Sequence, residues 1–177
     1  TGHRNASGMM ASIIKQGLNG TTELSPNQVF YELNNIVKKI DLGTLKTSLN
    51  ICEIKKDSIT LSSAAMPPIY LYNSKSKKTE EILIRGLPLG GLKNETFEIE
   101  KRKFNKGDVL VLLSDGLPEA ENDTGELYDY ERVIDLISKN ASKTAEELKS
   151  KLIGEVDIWL KGGIPDDDVT IVVIKKN

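Results

Sequence analysis

The stretch that decides the fold runs from residue 109 to residue 122 and reads VLVLLSDGLPEAEN. Its first five residues, Val109 to Leu113, are all apolar, which is typical of a β-strand buried on both faces. Ser114, Asp115 and Gly116 follow directly, so the strand ends in a carboxylate and in a glycine that lets the backbone turn away. We therefore expect Asp115 to be held rigidly at the end of a buried strand.

A second acidic stretch, Asp166-Asp167-Asp168, immediately precedes another apolar run, Val169 to Ile174, which we predict to be a buried strand. Three successive carboxylates repel one another unless solvent or a cation relieves them, and hard divalent cations favour oxygen ligands of this kind. Asp-Gly is also a common turn pair, and an acidic triplet in a loop is usually solvated. Neither motif is specific by itself.

Four helices are predicted on either side of these strands by apolar residues at helical spacing. The first ends at Gly17 and Gly20. The second opens at Ser25 with Pro26 in its first position and Gln28 completing a capping box. The third covers roughly 129–138, and the fourth follows Thr144, whose capping partner is Glu147. Their inward faces are, in order, Met9, Met10, Ile13, Ile14 and Leu18; Val29, Phe30, Leu33, Ile36, Val37 and Ile40; Val133, Leu136 and Ile137; and Leu148, Leu152, Val156 and Leu160.

Strand-like patterns occupy the middle of the chain, and short polar breaks such as 55–57 and 73–75 are typical of hairpin connections. We therefore expect antiparallel strands. The predicted strands are 47–54, 58–63, 69–72, 81–84 and 96–100. Two helices, a series of antiparallel strands, two helices and a final strand predict an α+β fold with helices packed on a layered sheet.

Composition and charge argue against several classes of protein. A formal net charge of −2 gives no electrostatic reason to expect nucleic acid or an anionic membrane as a partner, and no apolar run is long enough to span a bilayer. Cys52 is the only cysteine, which rules out an internal disulfide and favours a reducing, cytoplasmic location. A soluble output module of a larger membrane sensor would have the same sequence features. His3 is the only histidine, which argues against a histidine-rich zinc site and a serine triad. Trp159 is interpreted as a packing residue.

The order and spacing of several weak motifs are jointly specific. They are Thr1-Gly2-His3, Gly86-Leu87-Pro88-Leu89-Gly90, Gly107-Asp108, Ser114 to Ala120, Gly125-Glu126-Leu127-Tyr128 and Asp167-Asp168-Val169-Thr170. In this order, from the first residue to the last, they resemble the PPM-type serine/threonine phosphatases of the bacterial SpoIIE/RsbU group.

The resemblance implies a sandwich of two antiparallel sheets flanked by helices, with two Mg²⁺ or Mn²⁺ ions at one edge. By position, Asp115 and Asp167 match metal-binding aspartates, while Asp168 and Gly116 lie beside them and Thr170 would orient the loop. Family members hydrolyse phosphoserine or phosphothreonine in a regulatory partner protein, often an antagonist of an anti-sigma factor. An upstream sensory domain is also expected.

The chain departs from the family pattern at its start, because a metal-binding aspartate of the family normally lies just before the segment that begins here at Thr1. Arg4 stands where glycine is usual, and residues 63–68 replace a more polar Asn-Ala-Gly-His-Pro-Pro. We expect residues 1–177 to form one phosphatase domain lacking its first strands, with exposed edges that favour a homodimer. Two alternatives stay open: a catalytically inactive interaction module with the same fold, and a different metal hydrolase acting on a small phosphoester.

Overall fold

The structure is a computed structural model that describes residues 4–41 and 43–177, so the Thr1-Gly2-His3 motif lies outside the described residues. Within these ranges the chain forms four α-helices and seven β-strands, and the strands assemble into two antiparallel sheets. The predicted α+β class is confirmed. None of the described helices is long and apolar enough to cross a membrane.

Two compact units divide the chain, and each combines two separate stretches of sequence. The first comprises Thr1–Met66 and Ile84–Lys103, and the second comprises Pro67–Leu83 and Phe104–Asn177. Each unit carries its own sheet and its own pair of helices. That the two units belong to one domain over residues 1–177 stays a prediction.

The first unit contains helices α1 (Arg4–Gly17) and α2 (Pro26–Ile40) and a sheet in the order β1-β2-β5, made of β1 (Leu49–Ile54), β2 (Ser58–Ala64) and β5 (Glu100–Lys103). Helix α2 begins as predicted, because the Ser25 backbone N–H donates to Gln28 Oε1 at 3.0 Å and proline occupies the first position. Its buried face packs with residues of the sheet and loops. This cluster comprises Val29, Phe30, Leu33, Ala64, Leu89 and Phe97.

Some predicted core positions on these helices are wrong. Met10 is buried, but Met9 is 53% exposed, because consecutive helical residues point about 100° apart and only one of the two can face the interior. Leu18 and Ile40 are also exposed, since each lies at or beyond the end of its helix.

The strand predicted at 96–100 is displaced to Glu100–Lys103. The β2–β5 ladder pairs Leu61 with Glu100, and beyond that pair the Ser62 hydroxyl donates to the Glu98 carbonyl at 2.6 Å. A side-chain bond of this kind takes the place of a ladder bond, so the segment before Glu100 does not continue the strand.

The second unit contains a sheet in the order β4-β3-β6-β7 and two helices, α3 (Tyr130–Asn140) and α4 (Ala145–Trp159). Its strands are β3 (Ile69–Asn73), β4 (Lys78–Ile82), β6 (Val109–Leu113) and β7 (Ile171–Lys175). As predicted, β6 is an interior strand of buried apolar residues, and the Thr144–Glu147 capping box begins α4. The strand predicted at 81–84 begins and ends earlier than expected, because it pairs over its whole length with β3.

The prediction that the apolar run Val169 to Ile174 is a buried strand is wrong, because β7 is not buried on both faces. It is an edge strand that pairs only with β6 among the described strands, and Val172 is 47% exposed. A continuous apolar sequence does not distinguish an edge strand from an interior one, since that difference depends on sheet order.

Candidate functional site

The two acidic stretches lie at the same end of one sheet in the second unit. Strands β6 and β7 are antiparallel neighbours, with Leu113 paired to Ile171, so the end of β6 lies beside the beginning of β7. The ladder continues by one bond beyond this pair, from Ser114 N–H to the Thr170 carbonyl at 2.9 Å. Asp115 and the segment 166–168 are therefore adjacent, as the interpretation of the sequence requires.

Ser114 binds the two stretches together through its side chain. Its hydroxyl donates to the Asp168 carbonyl and accepts from the Thr170 N–H, each at 2.9 Å. Thr170 thus takes part through its backbone, whereas the prediction that it orients the loop remains untested for its side chain. Ser114 was missed as a site residue, although its position directly before the Asp-Gly pair was the available signal.

Gly116 runs directly against the backbone of the acidic loop. A Cβ atom at this position would lie 2.7 Å from the Asp168 carbonyl oxygen and 3.1 Å from that of Asp167. Both distances are shorter than normal contacts between carbon and oxygen, so only glycine allows the two segments to approach this closely. The same position therefore determines how near the Asp115 carboxylate comes to the loop.

The carboxylates themselves face solvent. Asp115, Asp167 and Asp168 are all exposed, and no lysine or arginine in the described part of the chain forms an ion pair with them. Asp167 Oδ1 accepts a hydrogen bond from the Asp168 N–H at 2.8 Å, which holds one oxygen of that carboxylate toward its own loop. Exposed, unneutralised carboxylates at one sheet edge are a donor set suited to hard divalent cations. Asp166 is exposed as well and makes no such contact.

The loop that follows Asp115 is held on both sides. The Glu119 N–H donates to the Asp115 carbonyl at 2.9 Å, and the Tyr130 hydroxyl donates to Glu119 Oε1 at 3.3 Å. Burial first, and then the charges of Glu119, Asp115 and Glu81, raise the pKa of Tyr130 to about 12. The sequence interpretation missed Glu119 and Tyr130, because their contact depends on where α3 begins.

Trp159 anchors the far part of the same loop, as its interpretation as a packing residue implied. Its indole N–H donates to the Ala120 carbonyl at 3.0 Å, and its ring meets Tyr128 edge to face with centroids 5.6 Å apart. The Arg132 guanidinium lies 4.2 Å from the centre of the Trp159 ring. These contacts fix the course of the segment that leaves the acidic site.

The architecture is that of the PP2C class of phosphatase domains. The SiaA-PP2C domain of Pseudomonas aeruginosa superposes with a TM-score of 0.78 at 15% identity, over 100% of this chain and 72% of that one. The catalytic domain of the serine/threonine protein phosphatase PstP, solved in complex with two manganese ions, gives a TM-score of 0.70 at 18% identity, over 98% of this chain and 83% of that one. At these identities the likeness concerns the fold.

Sequence comparison defines the family. The family described as Stage II sporulation protein E (SpoIIE) matches residues 1–177, and the chain belongs to it. The phosphoserine phosphatase RsbU of Bacillus subtilis is 26% identical over 171 residues, which cover 93% of this chain and 50% of RsbU. The chain spans half or less of the length of the curated relatives it matches. The resemblance to the SpoIIE/RsbU group is thus confirmed, and RsbU is named a phosphoserine phosphatase.

Proposed function

We propose that the chain is a metal-dependent protein serine/threonine phosphatase that hydrolyses phosphoserine or phosphothreonine in a regulatory partner protein. The observation that carries this proposal is the close approach of the Gly116 backbone to the Asp167 and Asp168 carbonyls, because it places two exposed carboxylates at one sheet edge. The family supports the same reaction, since RsbU is named a phosphoserine phosphatase.

The residues present fit divalent cations. Asp115 and Asp167 would hold two Mn²⁺ or Mg²⁺ ions, with Asp168 beside them, and Gly116 allows the two acidic segments to approach this closely. When bound, the cations would offset charge on the phosphoryl oxygens and lower the pKa of a water molecule, so that the chain itself need not supply a nucleophile. PstP, which shares the fold, was solved with two manganese ions.

The chain's own contribution is to fix the positions of these carboxylates. Ser114 ties the Asp115 turn to the backbone at Asp168 and Thr170, so the two acidic segments cannot separate without losing both of its hydrogen bonds. Asp167 is steadied by the Asp168 N–H. A preorganised charge arrangement of this kind does not have to reorganise when charge develops on a phosphoryl group.

A cytoplasmic phosphoprotein of the type that antagonises anti-sigma factors is the partner we propose. Its support is the family membership and the likeness to RsbU. The partner supplies the phosphorylated side chain, and the exposed carboxylates are open to a protein-sized substrate.

The test is hydrolysis of p-nitrophenyl phosphate and of a phosphoserine peptide by the full natural protein with Mn²⁺. We expect Asp115→Asn and Asp167→Asn each to lower kcat/KM by at least about 100-fold, because several kcal/mol of charge stabilisation would be lost. Asp166→Asn is the matched control, since it removes an equal charge one residue away and should retain activity. Full activity in the first two variants would refute their assigned roles.

A second candidate function is an inactive interaction module with the phosphatase fold. The observation that favours it is that no group of three or more acidic, histidine or cysteine side chains in the described residues is placed to hold a metal ion. Titration calorimetry with Mn²⁺ on the full protein separates the two candidates. Metal binding that Asp115→Asn abolishes supports the enzyme, whereas binding of a phosphoprotein without any binding of Mn²⁺ supports the module.

A further inference from the structure

Beside the proposed metal site, acidic side chains gather at the beginning of α3. Asp129 caps this helix by accepting from the Tyr130 N–H, and its own N–H donates to the Pro118 carbonyl at 2.8 Å. Tyr130 in turn donates from its hydroxyl to Glu119. Glu119 and Asp129 are therefore held together by one short stretch of loop and helix.

A third carboxylate, Glu81, comes to the same place from the edge strand β4. The hydroxyls of Thr79 and Ser138 lie 2.6 Å apart, so α3 passes over β4 at that point. Glu81 lies two residues beyond Thr79 on the same face of the strand, and its charge contributes to the raised pKa of Tyr130 at the beginning of α3. Glu81 is thus directed toward the beginning of α3. We call Glu81, Glu119 and Asp129 the acidic rim.

Among the described residues, no basic side chain neutralises the acidic rim. In the described part of the chain, none of its three carboxylates forms an ion pair with a lysine or an arginine. Burial and the negative charges of Glu119, Asp115 and Glu81 raise the pKa of the neighbouring Tyr130. By contrast, Arg132 offsets part of the corresponding effect on Tyr128.

An orphaned hydroxyl lies beneath the rim. Tyr70 is fully buried, and within the described residues its hydroxyl has no hydrogen-bond partner. Tyr70 is the cross-strand partner of Glu81, and burial together with Glu81, Tyr130 and Asp129 raises its pKa well above the usual range. Native structures seldom leave a buried hydroxyl unpaired. The rim therefore presents carboxylate acceptors, above an unpaired hydroxyl, for which the described residues supply no cationic donor.

We propose that the acidic rim binds a lysine or arginine side chain of the phosphoprotein substrate, close in sequence to the phosphorylated residue. This inference rests on the proposed function, which it deepens by naming the substrate class. A basic side chain suits the rim because it combines positive charge with three to five N–H donors and has no acceptor.

The spacing between the rim and the proposed metal site suggests where the basic residue should lie. Glu119 follows Asp115 by one hydrogen-bonded turn, from its N–H to the Asp115 carbonyl. One such turn advances about 5.4 Å, and an extended peptide advances about 3.3–3.6 Å per residue. A basic residue about two positions from the phosphoserine would therefore reach the rim while the phosphate reaches Asp115.

The experiment compares two fluorescent phosphoserine peptides that differ only in lysine or glutamine two positions from the phosphoserine. Binding to the full natural protein is measured by anisotropy without added metal, and kcat/KM is measured with Mn²⁺. We expect the lysine peptide to be preferred about fivefold in both measurements, the upper end for an exposed ion pair. Glu81→Gln and Asp129→Asn should each reduce that preference, and Asp129→Asn keeps an oxygen that can cap α3.

Controls separate this inference from the proposed function. Glu146→Gln removes an equal charge from α4, where Lys149 pairs with it, and should leave the preference intact. Hydrolysis of p-nitrophenyl phosphate should be unchanged in Glu81→Gln, because that substrate has no basic side chain. If the wild type hydrolyses p-nitrophenyl phosphate but binds both peptides equally, the inference is overturned and the phosphatase stands. If it hydrolyses neither substrate but still prefers the lysine peptide in a rim-dependent way, the inference stands and the proposed reaction fails.

Discussion

Replacing Gly116 with alanine is the most direct test of the contact between the two acidic segments. The added methyl group would lie 2.7 Å from the Asp168 carbonyl oxygen, and the atoms in its way belong to the backbone, which cannot rotate aside as a side chain can. Gly116 does not have a positive φ, so the backbone strain that alanine meets in the left-handed region does not arise here. The contact alone is therefore the cause of any destabilisation.

The size of the effect follows from three contributions. Overpacking in a close contact costs about 1–3 kcal/mol. Displacing the loop would also weaken the two hydrogen bonds of Ser114, each worth about 1 kcal/mol. Against this, alanine reduces the conformational entropy of the unfolded chain, which stabilises by about 0.4–1 kcal/mol. We expect the free energy of unfolding to fall by about 2–3 kcal/mol.

Thermal unfolding followed by circular dichroism measures this change, and for a chain of this size the midpoint should fall by about 5–10 °C. Gly154→Ala in α4 is a matched control, because a Cβ atom there would meet nothing within 4 Å. In a helix interior the same substitution should stabilise by about 0.5–1 kcal/mol. The same glycine-to-alanine substitution is thus expected to destabilise the protein at position 116 and to stabilise it at position 154.

A Gly116→Ala variant that melts within about 2 °C of the wild type would refute the close approach of Gly116 to the acidic loop. A fall of equal size in Gly154→Ala would also refute the reasoning, since it would trace the loss to alanine rather than to the contact. If the midpoint falls as expected, calorimetry with Mn²⁺ should show weaker metal binding by Gly116→Ala than by Gly154→Ala.

Three further predictions concern other parts of the chain. Asp108→Ala should lower the free energy of unfolding, measured by urea denaturation, by about 3 kcal/mol. The reason is that the buried Asp108 carboxylate accepts hydrogen bonds from the backbone N–H of both Ser74 and Asn105 at 2.8 Å. A loss below about 1 kcal/mol would contradict this prediction. Ala65→Gly should stabilise by about 0.5 kcal/mol, since Ala65 has φ +52° and glycine tolerates that region better, and a lower thermal midpoint would count against it. Burial, with a smaller effect of Glu53, raises the pKa of Cys52 to about 11 from 9.0. Because the thiolate is the reactive form, alkylation of Cys52 by iodoacetamide at pH 8 should be roughly 100-fold slower in the folded protein than in urea. Equal alkylation rates in the two states would exclude the shift.

Local signals in the sequence predicted the elements that depend on neighbouring residues. The capping boxes at Ser25 and Thr144 begin two helices where expected, and the apolar run 109–113 is a buried strand. Turn residues and periodicity act over a few positions, so they can be recognised without knowing which segments pair.

Features that depend on distant pairing were missed or displaced. The shift of β5 depends on Ser62 bonding to Glu98, 36 residues away, and the exposure of Val172 depends on β7 lying at a sheet edge. Asp115 and the acidic stretch 166–168 were noticed because they lie at strand ends, and the family resemblance singled out Asp167, but only the β6–β7 register makes the two segments neighbours. Glu119 and Tyr130 could not be paired from the sequence, because the turn that joins them has no periodic signal.

The register of β6 against β7 is fixed at both ends, and this bears on how the site keeps its geometry. At the end away from the site, Gly107 N–H donates to the Lys176 carbonyl at 2.8 Å and Lys176 N–H donates to the Asp108 carbonyl at 3.0 Å. A slip of one residue would reverse the face on which every side chain of β7 lies, and it would separate Ser114 from Thr170. The buried Asp108 side chain holds the turn that begins β6. Loosening that turn should therefore disturb the carboxylates about seven residues along the strand, so Asp108→Asn should weaken Mn²⁺ binding although it lies roughly 20 Å from Asp115.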